Sequence, residues 1–288
     1  MDRKKILIIG SRSFASKGLP EKLEKLNLDV TCFNRGEVSV MEKNVTGPMM
    51  EMTHNPWLSE GFDVVINYVF LKNESIQLNL KYIDSLIEFC RVKNVKQLIQ
   101  ISSVSVYPNN SQFINEKSAI ENEIENKGDY ASVKTAVDKY LLSFCELKFS
   151  ISFVRPGFIV TSEVLPSLTG ILKLLPFNTG VLMGNKETTL PIIDREVLNE
   201  AITQIIVLDK KESVYLVISK QTETKYNFVR SKFDYRIIPL PKKVTLFVAK
   251  VFLSMKIFNA RQYLQVKGLF KTTVFDCSCT EKNLNINF

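Results

Sequence analysis

Ile6-Leu-Ile-Ile-Gly10-Ser-Arg-Ser-Phe-Ala-Ser-Lys-Gly18 runs directly into Leu19-Pro-Glu-Lys-Leu-Glu-Lys-Leu26. A short apolar run, a turn of small residues and a segment with apolar residues at helical spacing thus follow one another without interruption. The run is too short for the ~7–15-residue core of a secretory signal, so it reads as a buried first strand. Strand, turn and helix in this order open a parallel-sheet unit.

The unit recurs downstream. Val30–Phe33 is a second strand ending in the polar turn Asn34-Arg35-Gly36. Asp63–Asn67 is a third, after a stretch with Gly47, Pro48 and Pro56 that reads as irregular. Ser75–Lys93 carries Ile76, Leu80, Ile83, Leu86, Ile87 and Cys90 at helical spacing. Gln97–Ser102 reads as a strand, Ser132–Lys148 as a helix and Ile151–Val154 as the strand after it. Short apolar strands alternating with long helices predict an α/β, Rossmann-like doubly wound parallel sheet, with ligands at the carboxyl ends of its strands.

Beyond Pro156 the alternation weakens. Pro166, Gly170, Pro176, Gly180, Gly184 and Pro191 punctuate the chain, and Arg195–Leu208 and Lys243–Phe258 read as helices. The expected division is a dinucleotide-binding domain over residues 1–160 and a smaller, mainly substrate-binding lobe over 161–288. No flexible linker separates them, and some C-terminal segments should return to the first core.

Composition narrows the chemistry. Of 288 residues, 45% are apolar and 24% charged, as in ordinary globular proteins. No apolar run approaches the ~20 residues of a transmembrane helix. Five scattered cysteines (Cys32, Cys90, Cys145, Cys277 and Cys279) without a secretory signal read as reduced thiols in a cytoplasmic protein. His54 is the only histidine, which argues against a His-based zinc site or a Ser-His-Asp triad, and no metal site is expected. Lysines and arginines are spread along the chain apart from a looser excess between Lys225 and Lys271, and the net charge is +8. An anionic substrate or cofactor accounts for it as well as nucleic acid or lipid does, and no nucleic-acid partner is expected. Val244–Phe258, apolar and carrying Lys250 and Lys256, reads either as a helix of the second lobe or as a membrane-surface segment.

A glycine-bearing turn between strand and helix lets backbone N–H groups approach a pyrophosphate. Here Gly10, Ser13 and Ser16 stand where Gly-x-x-Gly-x-x-Gly is common. Serine is small, and its hydroxyl is able to donate to phosphate. The second strand ends at Asn34-Arg35 with no acid to accept from a ribose hydroxyl, whereas a guanidinium there suits a 2′-phosphate. The candidate cofactor residues are therefore Gly10, Ser11, Arg12, Ser13, Phe14, Asn34 and Arg35. Asn67 and Tyr68, Ser102, Lys134 and Pro156 join them from the ends of later strands and the helix between. NADP(H) is favoured over NAD(H).

Tyr130-Ala-Ser-Val-Lys134 opens a helix, so Tyr130 and Lys134 share a face. A phenol is a poor proton catalyst near neutrality, and an adjacent ammonium should draw its pKa down. Ile101-Ser-Ser-Val-Ser-Val-Tyr-Pro108 precedes the pair and places Ser102 and Ser103 at a carboxyl end of the sheet.

Together these motifs resemble the extended, atypical short-chain dehydrogenases/reductases. The serine segment is similar to that family's Ser-Ser-x-x-Val-Tyr-Gly, with Pro108 in place of the glycine. The resemblance implies that Ser103 hydrogen-bonds the reacting oxygen, Tyr130 moves the proton, and Lys134 holds the nicotinamide ribose and tunes Tyr130. It makes Asn79 a structural asparagine, Arg155-Pro156-Gly157 the family's Arg-Pro, and Leu190-Pro-Ile-Ile-Asp194 its late Val-x-Asp segment. The turn departs from the pattern, and together with Phe33-Asn-Arg-Gly36 it resembles an atypical branch in which some members bind without catalysis. The implied substrate is a nucleotide-activated sugar, taken by an NADPH-dependent 4-ketoreductase or by an NAD-dependent 4-epimerase; a non-catalytic binding protein is the competing class. The family also implies a homodimer through the helices near Ser75–Lys93 and Ser132–Lys148, whose outer faces retain apolar residues.

Overall fold

Alternate side chains of the first strand, β1 (Lys5–Ile9), enter two different cores. Leu7 and Ile9 point to one face, Ile6 and Ile8 to the other, and all four are fully buried. Such double burial requires the unbroken apolar run seen in the sequence. Each of these side chains contributes about 1.5–3 kcal/mol. The structure, a computed structural model, describes residues 3–144, 146–161, 172–220, 224–232 and 234–288. Cys145, Pro166 and Gly170 lie outside the described residues.

Neighbouring β1 are β2 (Asp29–Arg35) and β5 (Val64–Asn67), both parallel to it, with Lys5 opposite Asp29 and Ile6 opposite Val64. The central sheet is completed by β3 (Ser39–Met41), β4 (Asn44–Gly47), β6 (Gln97–Ile101), β7 (Ser150–Pro156) and β8 (Val214–Val217). Its order is β8-β7-β6-β5-β1-β2-β4-β3, parallel throughout except for β3 against β4. Chain order reverses at β1, so a crevice opens above the carboxyl ends of β1 and β5. β3 and β4 fall in the stretch read as irregular. They form a hairpin at the sheet edge whose outer strand is wholly exposed, so it lacks the apolar alternation that marks a half-buried strand.

Helices α2 (Ile76–Val92) and α3 (Asp129–Leu142) cover one face, while α1 (Leu19–Lys25), α4 (Arg195–Val207) and α8 (Ser278–Leu284) cover the other. α3 starts ahead of Ser132 and stops well short of Lys148. Ser143 caps its end by donating to the carbonyl of Tyr140 at 2.7 Å, and Phe149 must leave the helical path to enter the core. The exposed positions of α2 include Gln77, Lys81, Asp84, Glu88 and Arg91. Of the apolar residues expected on the outer faces, Val92 of α2 and Leu142 of α3 are exposed, while the rest of the outer face of α2 is largely polar.

Polar side chains also stitch the parallel strands. Asn67 Nδ2 donates to Gln100 Oε1 at 2.8 Å, and Tyr82 donates its hydroxyl to Asn67 Oδ1 at 2.7 Å. Gln97 Nε2 donates to Ser152 Oγ at 3.0 Å.

The second lobe has its own small core of Leu172, Leu182, Leu190, Phe228, Val229 and Ile237. It joins a three-stranded sheet (Leu172–Leu175, Thr179–Leu182 and Arg236–Pro239) to α5 (Lys225–Lys232). α6 (Lys242–Ser254) and α7 (Ala260–Gly268) follow. α7 is anchored by Arg261, which donates to the Lys127 carbonyl, to Ser132 Oγ at 3.1 Å and to Asp129 Oδ1 at 3.1 Å. None of the described helices is long and apolar enough to cross a membrane.

Candidate active site

The turn after β1 is built on Gly10, which adopts φ +83°, a conformation that favours glycine. A Cβ there would lie 3.1 Å from Val69 Cγ2. Asn34 braces the turn from the end of β2, accepting from the Arg12 N–H at 3.1 Å and donating to Ser11 Oγ at 2.9 Å. The serine hydroxyls expected to meet phosphate are used inside the turn instead. Ser13 Oγ and Ser16 Oγ pair at 2.8 Å, and Ser16 also donates to the carbonyls of Gly10 and Ser13 at 3.1 Å. Ser16 is fully buried, so it substitutes for a glycine by tying the loop internally. The N–H groups of Phe14 and Ala15 have no partner among the described residues, so the rim still offers donors.

Gly10, Arg12, Ser13, Asn34, Arg35 and Tyr68 line a cleft of about 370 Å³ that extends to Phe70 and Lys72. Arg12, Arg35 and Lys72 are exposed around it. A glycine floor, open N–H donors and cations at the rim fit a dinucleotide with its phosphates. Phe14 stands outside the turn with Arg195 over its ring at 5.3 Å. Asn67 is fully buried, with its amide engaged by Gln100, Tyr82 and the Val69 N–H, so it shapes the loop rather than facing the cleft. Tyr68 lines the cleft with its ring, and burial drives its phenol upward. Pro156 is buried at the end of β7. Asn79 clamps the loop before α2, exchanging hydrogen bonds with Leu71 at 3.0 and 3.2 Å.

Tyr130 and Lys134 share a face of α3, close to where the cleft ends. Phe70 lies between cleft and pair: its ring meets Tyr130 edge-on at 5.1 Å and has Lys134 Nζ 5.7 Å from its centroid. Ser103 lies beside Tyr130 and lowers its phenol, but desolvation of the hydroxyl raises it more and the net shift is upward. The ammonium expected to depress that pKa is turned away: Lys134 Nζ donates to the Ile101 carbonyl at 2.8 Å. Burial draws Lys134 itself down to about 8, partly opposed by Asp138. Ser103 Oγ also accepts from the Ser105 N–H at 3.1 Å, which fixes the serine at the strand end.

Behind this pair lies a layer that sequence reading did not identify. Asp138, one turn beyond Lys134, is completely buried and accepts from Ser102 Oγ at 2.8 Å and from Arg155 Nε at 3.1 Å. Burial raises the Asp138 carboxyl, whereas Arg155, Ser102 and Lys134 pull it down. Arg155 also donates to Tyr107 Oη at 3.0 Å. Ser102, expected at the cofactor, belongs to this support because its hydroxyl turns to Asp138 on α3. The i, i+4 spacing of Lys134 and Asp138 was the available signal. Lys127 is a second missed residue, buried and donating to the carbonyls of Ser105 and Tyr107 at 2.7 Å.

Among the described residues there is no cluster of three metal-ligating side chains. The described cysteines are free; burial raises Cys32 and Cys90, and raises Cys277 to about 12.

Residues 6–162 match the model of the NAD dependent epimerase/dehydratase family. No curated protein matches the sequence. Among solved structures, MoeE5 in complex with UDP-glucuronic acid and NAD is similar at 13% identity and a TM-score of 0.70, over 98% of this chain and 93% of that one. UDP-N-acetylglucosamine 4-epimerase from Bacillus cereus is similar at 12% identity and a TM-score of 0.65, over 99% and 93% of the two chains. The human epimerase family protein SDR39U1 (isoform 2) with NADPH gives 15% identity and a TM-score of 0.62, over 97% and 93%. At such identities the likeness is one of fold, while the family model spans more than half of the chain and ends just beyond Arg155-Pro156. With the crevice at the reversal of strand order and Ser103, Tyr130 and Lys134 beside it, this chain belongs to the NAD-dependent epimerase/dehydratase family, on the fold of the extended short-chain dehydrogenases/reductases.

Proposed function

We propose that this protein is an NAD(P)-dependent oxidoreductase that uses NADPH to reduce the 4-keto group of a nucleotide-activated sugar. The observation that carries the reading is the placement of Tyr130 beside Ser103 at the end of a cleft suited to a dinucleotide. In it, the turn after β1 holds the pyrophosphate and Arg35 meets the 2′-phosphate. The bound nicotinamide supplies a hydride to the sugar carbon. Tyr130 Oη gives its proton to the carbonyl oxygen as the C–O bond becomes an alcohol, and a phenol raised by burial is suited to remaining protonated until then. Ser103 Oγ stabilises the charge that develops on that oxygen. Lys134, held on the Ile101 carbonyl, would hold the nicotinamide ribose when the cofactor is bound, and Tyr130 regains its proton from solvent. The second lobe, taken from about residue 161, supplies the sugar and nucleotide contacts, and the protein works in the cytoplasm.

A second reading, a 4-epimerase holding NAD, is favoured by the family description and by the 4-epimerase of similar fold. Calorimetric titration with NADPH and with NADH, on the native protein and on Arg35→Ala, separates the two. Tight NADPH binding that falls to the NADH level in the variant supports the reductase. Binding of NADH alone, or NAD that co-purifies and does not exchange, supports the epimerase. Absence of binding by either would overturn both readings.

A further inference from the structure

From Arg236 to Phe275 the chain carries eight cations and no acid. Elsewhere Lys plus Arg equals Asp plus Glu, so the whole surplus of +8 resides in this stretch. At its centre α6 is apolar on two opposite sides. Ala249 is buried, and Leu246 and Leu253 share its side of the helix. Val244, Phe247, Val248 and Met255 form a second, exposed stripe on the opposite side, with Val251 half-buried between them. Phe247 is 69% exposed and Met255 63%. Lys243 and Lys250 border this stripe, and Lys242 and Lys256 stand at its ends. No ion pair involves these four lysines among the described residues.

We propose that the outer face of α6 docks on the anionic surface of a lipid bilayer. Exposed aromatic and aliphatic side chains bordered only by ammonium groups need a counterpart that is apolar within and anionic at its surface. A bilayer containing acidic lipids supplies both. A second copy of this chain would bring the same cations against its own, with like-charge repulsion, and nucleic acid offers no apolar layer to Phe247 and Met255. At 13 residues, about 20 Å long, α6 lies along the interface and does not span it. Arg261 grips the approach to α3 from α7, which packs against α6, so the docked face sits one helix away from the start of the catalytic helix. Docking is independent of the reaction proposed above.

The test is sedimentation of the full chain with vesicles of phosphatidylcholine alone or with about one third phosphatidylglycerol. The native protein should bind the anionic vesicles at least about tenfold more strongly, and salt should weaken that binding. Phe247→Ser/Val248→Ser should lower binding by about tenfold at unchanged charge, with thermal melting and NADPH titration as in the native chain. Lys242→Gln/Lys243→Gln/Lys250→Gln should lower it similarly. Absence of binding to either vesicle would overturn the proposal, as would full binding by the Phe247→Ser/Val248→Ser variant. So would a dimer in light scattering that this variant splits, since a second copy would then cover the face.

Discussion

Lys134 Nζ donates to the carbonyl oxygen of Ile101 across 2.8 Å, directly before the paired serines at the end of β6. The lysine thereby ties the catalytic helix to the strand that delivers Ser103. Its burial has a measurable signature. The folded pKa, about 8, lies below the ordinary 10.5, so the unfolded chain binds more protons between these values. Below pH 8 the folded protein bears the full cost of a buried ammonium, and that cost disappears as the lysine neutralises. Relative to Lys134→Met, the native chain should gain up to about 3 kcal/mol as pH rises through this window. Urea denaturation of both proteins below, within and above the window measures it. A difference that stays flat with pH would exclude the buried, protonated lysine.

Tyr130→Phe removes one hydroxyl from a ring that is 48% exposed and packed on Phe70. Stability should change by less than about 1 kcal/mol. Turnover should fall ~10²–10⁴-fold with dinucleotide affinity retained, as measured by steady-state kinetics and calorimetry. Unchanged turnover would remove Tyr130 from the chemistry.

Ser103→Ala should be read through its pH profile. Ser103 lowers the Tyr130 phenol, so its loss raises the phenol further. In the reductive direction the tyrosine must be protonated. The alkaline limb of kcat/KM should therefore move to higher pH in the variant while the maximum falls. A limb that moves to lower pH would contradict the arrangement.

Arg155→Met leaves Asp138 buried without its guanidinium. The expected loss is about 3–5 kcal/mol in chemical denaturation. Arg155→Met with Asp138→Leu should cost less than Arg155→Met alone, because the uncompensated charge is gone. A strictly additive double variant would show that the pair is not coupled.

Ser16→Ala removes a buried hydroxyl that reaches two carbonyls and Ser13 Oγ. The loss should be about 1–3 kcal/mol, with weaker dinucleotide binding because the turn loses its internal tie. Affinity equal to that of the native chain would show that the backbone alone sets the turn.

Much of the scaffold was legible because strands buried on both faces are dominated by apolar residues, as Ile6–Ile9 and Val64–Ile66 are. Tyr130 and Lys134 were legible because four-residue spacing places them on one face. Their electrostatics were not: spacing shows that two groups share a face, not that Lys134 Nζ bonds the Ile101 carbonyl instead of leaning towards the phenol. Ser13 and Ser16 misled for a related reason, since a hydroxyl's partner is decided by three-dimensional closure of the loop. Asp138 and Lys127 were missed because lone charged residues on a helix or loop ordinarily face solvent, and only tertiary packing buries them. The edge hairpin Ser39–Gly47 escaped because exposed strands carry no alternation.

Asn67 and Gln100 face each other in register on β5 and β6, joined by an amide-to-amide bond and held from the side by Tyr82. The aliphatic side chains around them have no such directional preference, so one apolar neighbour serves almost as well as the next. A slip of one residue between β5 and β6 would put the two amides on opposite faces and strand both unpaired in hydrocarbon. The folding chain thus carries a proofreading mark within its greasiest layer. Because Asn67 also holds the Val69 N–H, a chain that fails this check would misplace the wall of the cleft along with the strand.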